Sequence, residues 1–160
     1  MIYEGTNEIQ AIDLLARKVL PDGAAALTTL LHELRQDLDA SHAADAQALH
    51  LLTTLGEASQ TLTTACTQDP ALAYWVADDY LRAVALALLA WAWARIDAGL
   101  RIAAASEDAP NPPTLTLRQD PRWTAPLQAL RHWILPEFDM RLQIVLQRCQ
   151  SAPESRQQHG

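Results

Sequence analysis

Five histidines, nineteen acidic side chains and two cysteines are the residues of this 160-residue chain from which a reaction centre could be assembled. None of His32, His42, His50, His132 and His159 follows a glutamate by three positions. The paired Glu-x-x-His ligands of a di-iron helical bundle are therefore missing. Asp39 and His42 have a comparable spacing, but a single pair at a helix end lacks the further ligands a metal needs, and no metal site is expected. Asp78-Asp79 is a more pointed feature, because two adjacent carboxylates interrupt an apolar run; Arg82, one helical turn on, is their expected partner. Cys66 and Cys149 fall on apolar stripes, where a thiol behaves as a small hydrophobe of low reactivity. Trp75, Trp91, Trp93, Trp123 and Trp133 are read as core or interface residues rather than a ligand box. There is no Ser-His-Asp arrangement and no glycine-rich phosphate loop.

The elements that would position these groups all read as helices, since apolar residues recur three and four apart and no run alternates over strand length. A first helix is expected after Thr6, whose hydroxyl can cap the N–H of Glu8 or Ile9, running to about Leu20, where Pro21-Asp22-Gly23 stops it. Its inward stripe is Ile9, Ile12, Ala16 and Val19. A second helix carries Leu27, Leu30, Leu31, Leu34 and Leu38 on one face. A third, from Ala44 to Gln68, carries Leu51, Leu52, Leu55, Ala58, Leu62 and Cys66, with Gly56 a weak point costing about 1 kcal/mol. Asp69-Pro70 is a helix-start signal for a fourth, which runs to about Ala105. Apolar nearly all round from Val84 to Trp93, it should be the central helix. The proline-rich stretch Ser106 to Pro121 reads as the one long loop. A fifth helix begins near Thr124-Ala125-Pro126 with the stripe Leu127, Leu130, Ile134, Phe138, Leu142, Val145 and Cys149, and Pro136 should kink or divide it. The prediction is an all-α protein, an up-down four-helix bundle preceded by a short N-terminal helix. Its parts are residues 1–20, the bundle 22–150 and a disordered tail 151–160.

Composition narrows the function classes. Twelve Lys+Arg against nineteen Asp+Glu give a net charge of −7, with no basic stripe to hold a phosphate backbone, so nucleic acid is a poor partner. The most apolar stretch, Ala83 to Ala94, is bracketed by Arg82 and Arg95 and is too short to span a bilayer. The opening residues lack the charged and apolar regions of a secretory signal, and two distant cysteines without CxxC spacing suggest neither a disulfide scaffold nor a zinc site. A reducing cytoplasm is the expected location.

The segment Ile2-Tyr3-Glu4-Gly5-Thr6-Asn7-Glu8-Ile9-Gln10, followed by Ala11-Ile12-Asp13-Leu14-Leu15-Ala16-Arg17-Lys18-Val19-Leu20, closely resembles the terminal catalytic segment of the acyl-CoA dehydrogenases. The remainder is similar to the branch of that family with an additional C-terminal helical bundle, whose last helix often carries a Leu-Leu-Pro-Glu-like sequence. Ile134-Leu135-Pro136-Glu137 stands at the corresponding place. The resemblance implies FAD as cofactor, an acyl-CoA thioester as substrate and an electron-transferring flavoprotein as acceptor. It makes Glu4 the general base that removes the proton next to the thioester carbonyl. It places Thr6 and Glu8 near the flavin, and Tyr3 and Gly5 at the acyl pocket.

The same resemblance assigns the domains that cradle FAD to sequence preceding this segment. The chain is thus expected to be a C-terminal portion of such an enzyme, inactive and without FAD when alone, associating with an upstream dehydrogenase half or with further copies of itself. A different class of function is open beside it: a non-enzymatic helical oligomerisation or docking module, suggested by the tryptophan-rich central helix.

Overall fold

The computed structural model describes residues 4–106 and 121–151, and every element among them is helical. In chain order these are α1 (Glu4–Ile12), a π-helical segment Asp13–Val19, α2 (Ala25–Gln36), α3 (Ala43–Gln68) and α4 (Leu72–Ser106). Then follow α5 (Pro121–Ala129), a second π-helical segment Leu130–Ile134 and α6 (Glu137–Ser151). The helical bundle with a short N-terminal helix is thereby observed. Of the expected loop Ser106 to Pro121, Ser106 ends α4 and Pro121 begins α5, and 107–120 lie outside the described residues. Of the expected tail, Ser151 is the last residue of α6, and 152–160 lie outside the described residues.

Local signals act where their chemistry predicts. The carboxylate of Asp22 accepts hydrogen bonds from the N–H groups of Ala25 (3.2 Å) and Ala26 (2.9 Å), satisfying free donors at the start of α2. Gly23, at φ +66°, takes the left-handed conformation that reverses the chain between the first two helices. The Asp69 carboxylate accepts from the N–H of Ala71 at 3.1 Å in the turn that leads into α4.

α4 is the central element, packed against α3, α6, α1 and the first π segment. Val76, Tyr80, Ala83, Leu86 and Ala87 of α4 are buried with Leu52, Leu55, Ala58 and Leu62 of α3 and Phe138, Leu142 and Val145 of α6. Ala11, Leu15 and Val19 of the N-terminal helix enter the same core. On length and composition alone, Leu72–Ile102 of α4 could cross a bilayer, a span longer than the apolar stretch singled out in the sequence.

The inward stripes depart from simple helical spacing at both π segments. In the first, the buried positions are Ala11, Leu15 and Val19 rather than Ile9, Ile12, Ala16 and Val19; Ile9 is 69% exposed. In the second, Leu135 is buried where Ile134 was expected, and Ile134 is exposed. The cause is the wider π turn, in which the N–H of Leu135 donates to the carbonyl of Leu130 five residues back, at 2.9 Å. In the last helix the extra residue moves the inward position from Ile134 to Leu135, and in the N-terminal helix it lets a stripe one position earlier than expected, Ala11 and Leu15, meet the expected Val19. The equivalent bond in the N-terminal helix runs from the N–H of Leu20 to the carbonyl of Leu15 at 3.0 Å. Pro136 then divides the last helix, as expected from its missing N–H. In α2 only Leu31 is buried, while Leu30 is exposed and Leu27 and Leu34 are partly covered, so this helix lies at the rim of the bundle; the expected Leu38 falls beyond its end at Gln36 and is partly covered there.

Candidate functional site

α1 begins at Glu4, so Glu4, Gly5, Thr6 and Glu8 occupy its first two turns, and Tyr3 lies outside the described residues. Thr6 is therefore inside the helix rather than capping it, the helix beginning two residues earlier than the expected cap. Thr6, Asn7, Glu8, Ile9 and Gln10 are all exposed. Thr6 and Glu8, two positions apart at about 100° per residue, stand on different sides of α1. Further on, Ala11, Leu15 and Val19 fix the helix to the bundle.

The densest charged constellation lies elsewhere, between α4 and α6. Arg141 donates to Asp79 Oδ1 at 2.7 Å and to Glu137 Oε1 at 2.9 Å, with Asp78 Oδ2 at 3.9 Å. Arg82 donates through Nη2 to Glu137 Oε2 at 2.7 Å and through Nε to both carboxylate oxygens at 3.2 Å. The partner of the aspartate pair is thus Arg141 from another helix, and the expected Arg82 turns to Glu137 instead. A helix-internal pair is worth only a few tenths of a kcal/mol, whereas Glu137 gives Arg82 a bidentate acceptor. The hydrogen bonds from Arg82, and then those from Arg141, hold the Glu137 carboxyl below the usual carboxylate range. An anchored, fully ionised carboxylate of this kind joins helices and is a poor proton acceptor. The sequence reading did not give Glu137 or Arg141 a charged partner; they pair with each other one helical turn apart, and their bonds to Arg82 and Asp79 reach across more than fifty residues.

A second polar cluster ties the α2–α3 connection to the far end of α4. Asp45, 2% exposed, accepts from Arg101 Nη2 (3.2 Å) and from the N–H of Asp39 (3.2 Å) on Oδ2, while its Oδ1 is buried without a protein partner. Arg101 also pairs with Asp97, and Arg95 Nη1 donates to the carbonyl of Asp37 at 2.7 Å. His42 and Asp39 approach to 3.7 Å on the surface. Among the described residues no group of three or more His, Cys, Asp or Glu side chains is placed to hold a metal ion.

A mainly apolar cleft of roughly 340 Å³ opens between the N-terminal helix and the α3–α4 connection, lined in part by Leu20, Thr63, Cys66, Ala73 and Tyr74. Trp75 (73%) and Trp133 (83%) are exposed, as is Tyr74, while Trp91 and Trp93 are partly buried against the core. Compared with known proteins, the chain matches no family model, no curated protein and no solved structure.

Proposed function

We propose that the chain supplies the catalytic-base segment and the C-terminal helical bundle of an FAD-dependent acyl-CoA dehydrogenase acting in the cytoplasm. The observation that carries the reading is the run Ile2–Gln10, with its Tyr-Glu-Gly-Thr core. The all-helical bundle that follows, with Leu135-Pro136-Glu137 at the start of its last helix, is compatible with it. Asn7 to Gln10 of α1 are exposed, which suits contact with another domain.

In this reading Glu4 removes the proton next to the thioester carbonyl. That proton is weakly acidic, so the base needs burial that raises its pKa, and the thioester oxygen needs hydrogen bonds that stabilise enolate charge. Gly5 presents no side chain to obstruct the acyl group, and Tyr3 shapes its pocket. Thr6 and Glu8 offer a hydroxyl and a carboxylate from two sides of α1, which suits contacts to separate parts of an extended dinucleotide. FAD, when bound, accepts the hydride, and an electron-transferring flavoprotein takes the electrons onward. The bundle alone is inactive.

The test joins this chain to the flavin-cradling domains of an acyl-CoA dehydrogenase, by fusion or co-expression. Purified protein should carry flavin absorbance that bleaches on addition of an acyl-CoA. Glu4→Gln should keep the flavin and slow the bleaching by about 10²–10⁴-fold, the range for loss of a general base. Undiminished bleaching in that variant would overturn the assignment.

Exposed Trp75 and Trp133 favour a second reading, a helical oligomerisation or docking module without chemistry of its own. Light scattering on the chromatographic peak of the chain, with flavin absorbance recorded beside it, separates the two. A colourless oligomer that dissociates when Trp133 is changed to Ser supports the module. A monomer indifferent to that change argues against it.

A further inference from the structure

We propose that Cys66 and Cys149 form a redox-active dithiol site, which a small-molecule disulfide oxidises to a single intramolecular bond across the C-terminal ends of α3 and α6. The argument rests on helix register. Ser59 meets Tyr80 at 2.7 Å and Asp45 meets Arg101 at 3.2 Å, so α3 and α4 run antiparallel. Arg82 meets Glu137 at 2.7 Å and Asp79 meets Arg141 at 2.7 Å, so α4 and α6 also run antiparallel. α3 and α6, which touch, are therefore parallel.

Two turns beyond Ser59 along α3 stands Cys66, and two turns back from Tyr80 along α4 stands Ala73; these two line the same cleft. Two turns beyond Arg141 along α6 stands Cys149, level with the residues two turns back from Asp79, at Ala71 and Leu72. Both thiols thus reach the level of the first turn of α4, each two residues from the end of its helix. Both are free, buried and part of one core. Packed helix axes lie about 8–10 Å apart and a disulfide joins Cα atoms about 4.4–6.8 Å apart, so the proposed bond requires the two thiols to face one another across the α3–α6 contact.

The cleft of roughly 340 Å³ gives a small oxidant access to Cys66. The Cys66 thiolate attacks one sulfur of the disulfide, and the departing thiolate takes up the proton Cys66 gave up. Cys149 loses its proton and attacks the Cys66 sulfur of the mixed disulfide, releasing the second small thiol. Two protein thiols are oxidised and one disulfide is reduced to two thiols. Burial pushes both protein thiols up, Cys66 to about 11 with the Cys149 and Asp69 charges adding to it. Little thiolate is present near neutrality, so the exchange is slow.

The experiment incubates the folded chain with oxidised glutathione for hours, blocks remaining thiols by alkylation, and weighs intact protein and peptides. The wild type should lose the mass of two hydrogens, regain it with dithiothreitol, keep its helical circular dichroism and yield a linked Cys66–Cys149 peptide. Cys149→Ser should instead accumulate a glutathione adduct on Cys66, and Cys66→Ser should accumulate little at Cys149. A wild type that retains the glutathione adduct, forms linked dimers, or leaves both thiols open to alkylation after full exposure overturns the proposal. The linked peptide in the wild type decides the matter even where a serine variant fails to fold.

Discussion

At the scale of single residues, the core contains one polar contact whose contribution can be isolated. Tyr80 is fully buried, and its hydroxyl pairs with Ser59 Oγ at 2.7 Å, while Ser59 is also bonded to the carbonyl of Leu55 at 2.7 Å. Tyr80→Phe removes the contact without stranding Ser59, so the loss should be about 1 kcal/mol in urea unfolding. The phenol is raised to about 12, first by burial, with Ser59 opposing. A folded-state value above the unfolded 10 means that the stability it carries is intact below pH 10 and lost as pH rises towards 12. Wild type should therefore lose stability over that interval, and Tyr80→Phe should lose less of it; identical alkaline profiles would contradict the burial argument. Helical spacing alone placed Leu51, Leu52, Leu55, Ala58, Leu62 and Cys66 of α3 inward, and each is buried. It did not reveal the partners of Asp79 or Glu137, because a charged side chain's nearest sequence neighbour is not its nearest neighbour in space.

Between elements, α6 is joined to α4 by packing and by the chain of charges Asp79, Arg141, Glu137 and Arg82. Arg141→Met retains the apolar stem and removes the charge that links two carboxylates. Partly exposed pairs are worth under about 1 kcal/mol each, so the variant should lose about 1 kcal/mol. The loss should depend on pH with a definite sign. Glu137 is held below its ordinary value when folded, so its contribution is present above about pH 4.5 and disappears as pH falls through the lower folded value. The gap between wild type and Arg141→Met measured at pH 7 should therefore narrow as pH falls below about 4.5, while the Glu137 contribution held by Arg82 is lost in both; a constant gap would show that the arginine acts through packing. The π segments are the other lesson at this scale. Their flanking residues read as ordinary helix, and the extra residue that turns Leu135 inward in place of Ile134 carries no local sequence mark. Pro136 does carry one, and the last helix breaks there.

For the whole molecule, one core shared by α3, α4, α6 and the N-terminal helix implies one cooperative unfolding event. Phe138 is completely buried at the start of α6, and Phe138→Ala should cost about 3–5 kcal/mol. The whole transition should shift together, with circular dichroism and tryptophan fluorescence coinciding. An early fluorescence change with helicity intact would instead mean that α6 peels from a stable remainder. Of the proposed catalytic segment, Thr6 to Gln10 are exposed, with Thr6 and Glu8 on separate sides of α1. The amino-acid order by itself determined that the chain is helical, where most helices begin and end, and which face of α3 is buried. Those properties follow from caps, proline and helical periodicity, which act within a few residues. The tertiary structure decided the in-phase shift at the π turns, the Arg141 and Glu137 pairings and the common level of Cys66 and Cys149. These depend on how distant helices are aligned and packed, which no local spacing encodes.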